Sequence, residues 1–338
     1  MEQAHTRLAG VQRIVLPLEG SPLESVNVYA LDGAAGLVLV DTGWRRPDVR
    51  AALDQALAAL GYRAEDLALI VLTHAHPDHC GGAAELRKRS GAPVLLHHAD
   101  WPLTDPARRH GDAFMRASAA WFLRHGLPAS APEATGAARG ELVERNQPFT
   151  PDRAIHDGDT LALGRFTMRV LWCPGHSPGQ VCLYDEQAGV LLAGDHVLPA
   201  ISPNIGCYTA EDGNPLGDYL ASLRRVRDLP VDVVFPGHGE PFHELAARVD
   251  TLAAHHEARL DELLALLAPA PQTGFDLCVR LPWSGGRRRW ADLAPFHHRL
   301  ALAETIAHLE LLRSRSLVSR EEREGIIRYQ ATLTPYPL

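Results

Sequence analysis

Short apolar runs separated by turn signals dominate the first two-thirds of the chain. Runs of this kind, bounded by glycine, proline or aspartate, predict strands. The predicted strands are Val11–Leu18, Val26–Leu31, Leu37–Asp41, Leu67–Leu72, Val94–His97, Phe166–Trp172, Val181–Tyr184, Val190–Ala193 and Asp232–Phe235. A helix is predicted from Pro47 to about Leu60, because proline favours an early helical position and Gly61 follows as a stop. Strands that alternate with helices in this way indicate a layered α/β architecture.

The segment 99–160 interrupts the pattern. It contains a predicted helix, Gly111–His125, followed by a stretch rich in alanine, proline and glycine, Pro128–Gly140. Connections of this length within a compact domain are typically functional covers or mobile segments. We therefore interpret 99–160 as an insertion in a main domain that spans residues 1–245. The large apolar side chains of its helix either pack on that domain or form an apolar wall over a substrate; they are Phe114, Met115, Trp121 and Phe122.

The last part of the chain, 246–338, has a helical pattern. Leucines recur at helical spacing from about Glu244, and a further helix is predicted over Phe296–Arg315. Val318–Glu322 is interpreted as the cap of another short helix, and Gly325–Tyr329 as a strand. Together these elements predict a small helical, winged-helix-like C-terminal extension.

Composition narrows the range of partners and compartments. The formal net charge of −8 gives no general attraction for nucleic acid or an anionic membrane. The chain has no apolar run of about 18 residues, and its start lacks the continuous apolar core of a signal peptide. The five cysteines are scattered and never form a CxxC pair, which is typical of reduced thiols. We therefore expect a cytoplasmic protein without a membrane partner.

One segment combines several metal-binding side chains. Thr73-His74-Ala75-His76-Pro77-Asp78-His79-Cys80-Gly81-Gly82 follows directly on the buried strand predicted at Leu67–Leu72. Imidazole and carboxylate are the ligands that zinc, iron and manganese favour. Residues two apart on an extended chain share a direction, so His74 and His76 can reach one ion. Asp78 and His79, at the start of a helix, would point to a second site.

Three later segments place a similar side chain after a predicted strand. They are Cys173-Pro174-Gly175-His176, Gly194-Asp195-His196 and Pro236-Gly237-His238-Gly239. Each alone is compatible with a glycine or proline turn that carries an incidental histidine, or with an aspartate that caps a helix. In this order, and together with the first segment, they indicate one metal centre.

On these motifs the chain resembles the metallo-β-lactamase superfamily over roughly Val11 to Phe242. The resemblance implies an αββα sandwich with a dinuclear metal site at one edge. It implies that the first metal is held by His74, His76 and His176, and the second by Asp78, His79 and His238. Asp195 would bridge the two ions. Zinc is the expected metal, and iron and manganese suit the same ligands.

The pattern looks like the hydroxyacylglutathione hydrolases, the acyl-homoserine lactonases and the lactamase-beta-2-like hydrolases. It departs from the secreted zinc β-lactamases, which lack the histidine that matches His79, and from the persulfide dioxygenases. The tail, with Ala303–Leu309 as its most recognisable part, resembles the C-terminal unit of the lactamase-beta-2-like group.

The resemblance implies hydrolysis of a small acyl substrate: a carboxylic thioester, ester or lactone. A hydroxide shared by two metals would attack the carbonyl carbon. Of the two carboxylates with catalytic roles, Asp195 bridges the metals and Asp78 could shuttle a proton. Asp41 is a candidate for orienting a ligand, and His196 either touches substrate or packs beside the site. Asn204 and Tyr208 are candidates for hydrogen bonds to a substrate oxygen.

Two other interpretations use the same features. The metal set could serve a phosphodiesterase or endoribonuclease, for which the C-terminal unit and Arg287-Arg288-Arg289 would provide contacts. The net negative charge and the lack of an RNA-binding motif count against it. A non-catalytic DNA binder would not need two metals. We therefore expect the C-terminal unit to pack on the sandwich or to build a homodimer interface. The histidine pairs outside the motifs are expected to be solvated: His97 and His98, His255 and His256, His297 and His298.

Overall fold

The computed structural model of the protein describes residues 5–8, 10–21, 23–33, 36–105, 111–131, 148–283 and 285–332. They form two compact units. The first contains the described residues of Met1–His110, Glu141–Pro203 and Ser222–Val249, and the second those of Gly111–Gly140, Asn204–Ala221 and Asp250–Leu338. Part of the predicted insertion, 106–110 and 132–147, lies outside the described residues.

Helices account for much of both units. The α-helices are α1 (Pro47–Ala59), α2 (Pro77–Cys80), α3 (Ala83–Ser90), α4 (Asp112–Arg124), α5 (Pro215–Arg227), α6 (Leu245–Leu267), α7 (Gly274–Cys278) and α8 (Pro295–Ser314). Short 3₁₀ helices lie at Ala64–Asp66, His98–Thr104, Ala210–Asp212 and Trp290–Asp292. As the sequence predicts, α1 begins at Pro47, with the proline in its first turn.

The first unit contains two mixed sheets. One has seven strands that lie side by side in chain order: β1 (His5–Leu8), β2 (Val11–Pro17), β3 (Ser25–Gly33), β4 (Gly36–Val40), β5 (Leu67–Val71), β6 (Val94–His97) and β7 (Arg153–Ile155). Strands β1 to β4 are antiparallel, and β4 to β7 are parallel.

The other sheet has five strands. They are β8 (Thr160–Leu163), β9 (Phe166–Trp172), β10 (Val181–Asp185), β11 (Val190–Gly194) and β12 (Val233–Pro236). The spatial order is β12-β11-β10-β9-β8, with β11 and β12 parallel and the other pairs antiparallel. Strands β9, β11 and β12 therefore run in the same direction, and their carboxyl ends share one edge of the sheet.

Strand β4 shows how the sheets are layered. Leu37 and Leu39 pack in a core that α1 and α3 share, whereas Val38 and Val40 pack in a second core between the two sheets. This alternation follows from the two-residue period of a strand. On the second sheet, the Ser222 hydroxyl at α5 donates to the carbonyl of Pro174, 3.0 Å away. The predicted αββα architecture is thus confirmed.

The second unit is mainly helical and ends in a hairpin of β13 (Val318–Arg323) and β14 (Ile326–Ala331). The predicted strand over 325–329 is confirmed, but the helix cap predicted at Val318–Glu322 is wrong. Glu324 and Gly325 both adopt positive φ angles, 53° and 77°. This geometry suits a tight hairpin turn and not a helix, and it pairs Arg323 with Ile326.

Two of the histidines expected to be solvated are buried instead. His97 stacks on Trp172 with ring centroids 5.2 Å apart, and His256 packs against His308. Both are covered by residues far away in the chain, which the pairwise spacing of the histidines does not indicate. All five cysteines are buried, and no disulfide joins them. In the described part of the chain, no helix has the length and apolar character needed to cross a membrane.

Candidate metal centre

All seven candidate ligands lie in the first unit, just after strands. Strand β5 leads into the loop that carries His74 and His76, and α2 then presents Asp78 and His79. Pro77 starts this helix, and Asp78 in its first turn is favoured by the positive end of the helix. His176, Asp195 and His238 follow β9, β11 and β12, whose carboxyl ends share an edge; they complete the set.

The three histidines of the first predicted group converge on one another. Nδ1 of His76 lies 3.1 Å from Nε2 of His74 and 2.8 Å from Nε2 of His176. The candidate ligand atoms of the three side chains all lie within 4.8 Å of one another. Three imidazole nitrogens so placed can hold one divalent ion.

The second group consists of Asp78, His79 and His238. The Asp78 Oδ2 atom lies 3.4 Å from Nε2 of His238 and 4.0 Å from Nε2 of His79. As in the first group, the candidate ligand atoms are within 4.8 Å of one another. The structure therefore brings together the three residues of each group that the family resemblance implies.

Asp195 lies between the two groups. Its Oδ1 is 3.4 Å from Nε2 of His79, and its Oδ2 is 3.4 Å from Nε2 of both His176 and His238. One carboxylate thus faces a histidine of the first group and two of the second. This is the placement that a carboxylate bridging two ions requires.

Three buried polar atoms support a cation here. Among the described side chains, Nε2 of His79, Nε2 of His238 and Oδ1 of Asp195 are buried without a hydrogen-bond partner. A buried polar atom without a partner costs about 1–3 kcal/mol. All three atoms face the same space, so a bound cation would satisfy them together. The donor set of imidazoles and carboxylates fits zinc, iron or manganese.

The electrostatics of the cluster favour positive charge. Burial would raise the pKa of Asp195, but the neighbouring His238 and His79 outweigh it and hold that pKa well below its usual range. Burial opposes protonation of His238, but Asp195 and Asp78 prevail and raise its pKa to about 10. By contrast, burial and adjacent imidazoles hold the pKa of His74 well below its usual range. Burial likewise opposes protonation of His79, but Asp195 and Asp41 prevail and raise its pKa well above its usual range.

Asp41 fixes the orientation of His79. Its Oδ2 lies 2.8 Å from Nδ1 of His79, so this nitrogen donates and Nε2 is left facing the cluster. The backbone N–H and the hydroxyl of Thr73 also donate to the carboxylate, each at 2.8 Å. Asp41 adopts a φ of 64°, which is uncommon for a residue with a side chain. Such strain is typical of functional positions.

Strand β3 holds the His238 loop, which the sequence reasoning did not foresee. The Ser25 carbonyl accepts from Nδ1 of His238 at 2.7 Å. The Asn27 amide donates to the carbonyls of Pro236 and Gly239, at 2.8 and 2.7 Å. Its Oδ1 accepts from the buried Arg13 guanidinium, and the hydroxyl of Tyr29 donates to Pro236. A polar asparagine within an apolar strand was the signal that could have revealed this contact.

Three other candidates have a different setting. His196 is fully buried, and burial lowers its pKa to about 4. Asn204 and Tyr208 belong to the second unit, where the Tyr208 hydroxyl donates to Oδ1 of Asn204 at 2.8 Å. The Asn204 amide in turn donates to the Glu304 carboxylate at 2.9 Å. Their predicted contact with a substrate stays a prediction.

Comparison with known proteins identifies the family. Residues 21–238 match the model of the metallo-beta-lactamase superfamily. The "Probable metallo-hydrolase YqjP" of Bacillus subtilis (strain 168) is 28% identical over 301 residues, which cover 87% of this chain and 89% of that protein.

Two solved structures have the same fold over nearly the whole chain. A metallo-beta-lactamase family protein from Thermus thermophilus is 38% identical, covers 96% of this chain and 99% of its own, and has a TM-score of 0.80. A beta-lactamase domain protein from Burkholderia ambifaria is 30% identical, with coverage of 97% and 94% and a TM-score of 0.83. The chain belongs to the metallo-beta-lactamase superfamily.

Proposed function

We propose that the protein is a dinuclear metal-dependent hydrolase that cleaves a carboxylic thioester, ester or lactone. The observation that carries this proposal is the position of Asp195, whose two oxygens lie 3.4 Å from histidines of both groups. Membership of a superfamily of metallo-hydrolases supports hydrolysis as the reaction. The substrate is a small acyl compound.

The seven side chains divide between two ions. His74, His76 and His176 would hold the first, Asp78, His79 and His238 would hold the second, and Asp195 would contact both. Two divalent ions held in this way would supply a nucleophile from water near neutral pH and would polarise the substrate carbonyl. Zinc is the metal we propose, since imidazole and carboxylate ligands suit it well.

Neighbouring groups of the protein orient the metal ligands, and one carboxylate transfers a proton. Asp41 fixes the ring of His79 through Nδ1, and the Ser25 carbonyl does the same for His238. The Asp78 side chain is 17% exposed, against 7% for Asp195 and 2% for Asp41. Asp78 is thus the carboxylate most open to a substrate, and we assign it the transfer of a proton to the leaving group.

The protein's location is also part of the proposal. The five cysteines are buried and form no disulfide with one another, as in proteins of a reducing compartment. We propose that the enzyme is cytoplasmic and acts without a membrane or nucleic-acid partner.

A substrate panel tests the reaction class. The panel contains acyl-thioesters, aryl esters, homoserine lactones, a cephalosporin, a bis-aryl phosphodiester and RNA. The zinc-loaded protein is compared with His79→Ala, which removes a proposed ligand, and with His243→Ala, which removes an exposed histidine of the same unit. We expect turnover of one carbonyl class in the protein and in His243→Ala, and its loss in His79→Ala.

Two outcomes would contradict the proposal. Equal turnover in the His79→Ala variant would exclude the second metal from the reaction. Cleavage of only the phosphodiester and RNA would instead assign the enzyme to the nucleases. In that case the exposed Arg287, Arg288 and Arg289 would be the first residues to test for RNA contacts.

A further inference from the structure

A buried carboxylate outside the seven candidate ligands joins two of the loops that carry them. Asp100 lies in the 3₁₀ helix His98–Thr104, directly after strand β6 of the first unit. Its solvent exposure is 0%. A carboxylate without solvent is stable only when hydrogen bonds or opposite charges compensate its lost hydration. Its contacts therefore show what it is built to hold.

Three donors of the metal centre's own loops surround this carboxylate. The backbone N–H of Ala75 donates to Oδ2 at 2.8 Å, and the hydroxyl of Ser177 donates to the same oxygen at 2.7 Å. The backbone N–H of Gly179 donates to Oδ1 at 2.6 Å. Hydrogen bonds to an ionised acceptor are roughly twice as strong as neutral ones.

The positions of these donors connect Asp100 to the first metal group. Ala75 stands between His74 and His76, and Ser177 follows His176. The two loops come from different sheets, since one follows β5 and the other follows β9. One side chain thus fixes the spacing between all three histidines of the group.

The close approach of the second loop depends on a glycine. A Cβ atom at Gly179 would lie 2.7 Å from the Cβ and from the backbone nitrogen of Asp100. Contacts under about 3 Å are not tolerated, so a larger residue would push the His176 loop away from Asp100. The glycine and the carboxylate therefore act together.

We propose that Asp100 is a positioning residue that locks the His74–His76 loop to the His176 loop, and so sets the geometry of the first metal site. The inference rests on the dinuclear centre of the proposed function but adds a residue outside its ligand set. Groups that orient metal ligands typically contribute about 10- to 100-fold to metal affinity.

A purely structural role is the alternative, and Asp152 provides the matched control. Asp152 also accepts a hydrogen bond from a backbone N–H, that of Val94 at 2.9 Å, and pairs with Arg87 at 2.8 Å. It lies beside the beginning of β6, whereas Asp100 lies beyond the end of the same strand. Val94 and Arg87, which contact Asp152, do not lie in a loop that carries a candidate metal ligand.

The experiment compares zinc binding by the unsubstituted protein, Asp100→Asn, Ser177→Ala and Asp152→Asn. Zinc affinity is measured by competition with a chromophoric chelator, the site geometry by the visible spectrum of the cobalt-loaded proteins, and stability by thermal unfolding of the metal-free forms. Ser177→Ala removes only one of these three hydrogen-bond donors. It therefore tests the same contact if Asp100→Asn fails to fold.

We expect Asp100→Asn to bind zinc at least about 10-fold more weakly and to change the cobalt spectrum. Ser177→Ala should show a smaller effect in the same direction, and Asp152→Asn neither effect. Zinc affinity and a cobalt spectrum that match the unsubstituted protein in both Asp100→Asn and Ser177→Ala would overturn the inference but leave the proposed function intact. Absence of zinc binding by the unsubstituted protein would overturn both.

Discussion

Gly237 shows how closely the backbone approaches the metal centre. A Cβ atom at this position would lie 2.2 Å from Oδ1 of Asp195 and 2.8 Å from Cε1 of His79. Gly237 has no positive φ angle, so the need for glycine here is one of space and not of backbone conformation. The loop that presents His238 can only reach its position because residue 237 lacks a side chain.

Gly237→Ala should therefore abolish metal binding while it leaves most of the fold intact. The added methyl group would displace Asp195, the proposed bridge, and His79, a proposed ligand of the second metal. We expect less than about one zinc ion per chain after dialysis, against about two for the unsubstituted protein. Gly274→Ala is the control, since Gly274 has no positive φ angle and a Cβ there would meet no atom closer than 3.4 Å. Normal zinc content in Gly237→Ala would refute the steric argument.

Strand β3 controls the neighbouring loop through its polar side chains. Asn27 is only 1% exposed and donates to two carbonyls that flank His238. Asn27→Ala would remove one hydrogen bond from each of these carbonyls and one from the Arg13 guanidinium. Each such hydrogen bond contributes about 0.5–1.5 kcal/mol to stability.

We expect Asn27→Ala to lower the free energy of unfolding of the metal-free protein by about 2 kcal/mol and to weaken zinc binding. Urea unfolding and chelator competition measure the two effects. Asn214→Ala, which alters a partly exposed amide of the second unit, should keep the zinc affinity of the unsubstituted protein. Unchanged zinc affinity in Asn27→Ala would show that strand β3 does not position the His238 loop.

At the level of elements, much of the first unit could be predicted from the sequence. The bounds of the predicted strands Val94–His97 and Phe166–Trp172 are those observed, because apolar periodicity directly reflects burial. The short strands Arg153–Ile155 and Thr160–Leu163 were missed, because three or four residues are too few for a clear two-residue alternation. The first strand of the hairpin was predicted as a helix cap, because its exposed charged residues resemble one.

The candidate ligands could be found because each follows a strand, whereas their supporting groups could not. Asp100 and Ser177 are far apart in the chain, and only the folded sheets bring them together. The same holds for Asn27 and Gly239. Contacts of this kind depend on the register and packing of whole sheets, which apolar patterns do not specify.

Across the whole molecule, buried histidines link stability to pH. In the second unit, Nδ1 of His256 lies 3.1 Å from Nε2 of His308, and Nδ1 of His308 lies 2.8 Å from the Glu304 carbonyl. His308 therefore donates from Nδ1 and accepts from Nδ1 of His256 at Nε2, which requires the His308 ring to be neutral. Burial, together with the neighbouring His308 and Arg259, lowers the pKa of His256 to about 2. Burial lowers that of His308 to about 3.

These pKa values predict acid sensitivity. In the unfolded chain each histidine binds a proton below about pH 6.5, whereas in the folded protein it stays neutral. The free energy of unfolding should therefore fall below pH 6.5, by about 1.4 kcal/mol per pH unit for each histidine, until the folded-state pKa is reached. Urea unfolding of the metal-free protein between about pH 7 and about pH 5 measures this slope.

His256→Gln isolates the contribution of one ring. The substitution should reduce the slope of the free energy of unfolding against pH by the contribution of one proton, about 1.4 kcal/mol per pH unit. The metal-ligand histidines titrate equally in both proteins and cancel in the comparison. Identical slopes would show that His256 is protonated in the folded protein. This pairing spans 52 residues and joins two helices, which explains why the sequence suggested a solvated ring for His256.

The central claim is that two metal ions act together at the Asp195 bridge. Its most direct test is a zinc titration of the metal-free protein, with hydrolysis of the best carbonyl substrate measured after each addition. We expect activity to rise and to reach a plateau at about two zinc ions per chain. Full activity at one ion per chain, or hydrolysis that does not depend on added metal, would contradict it.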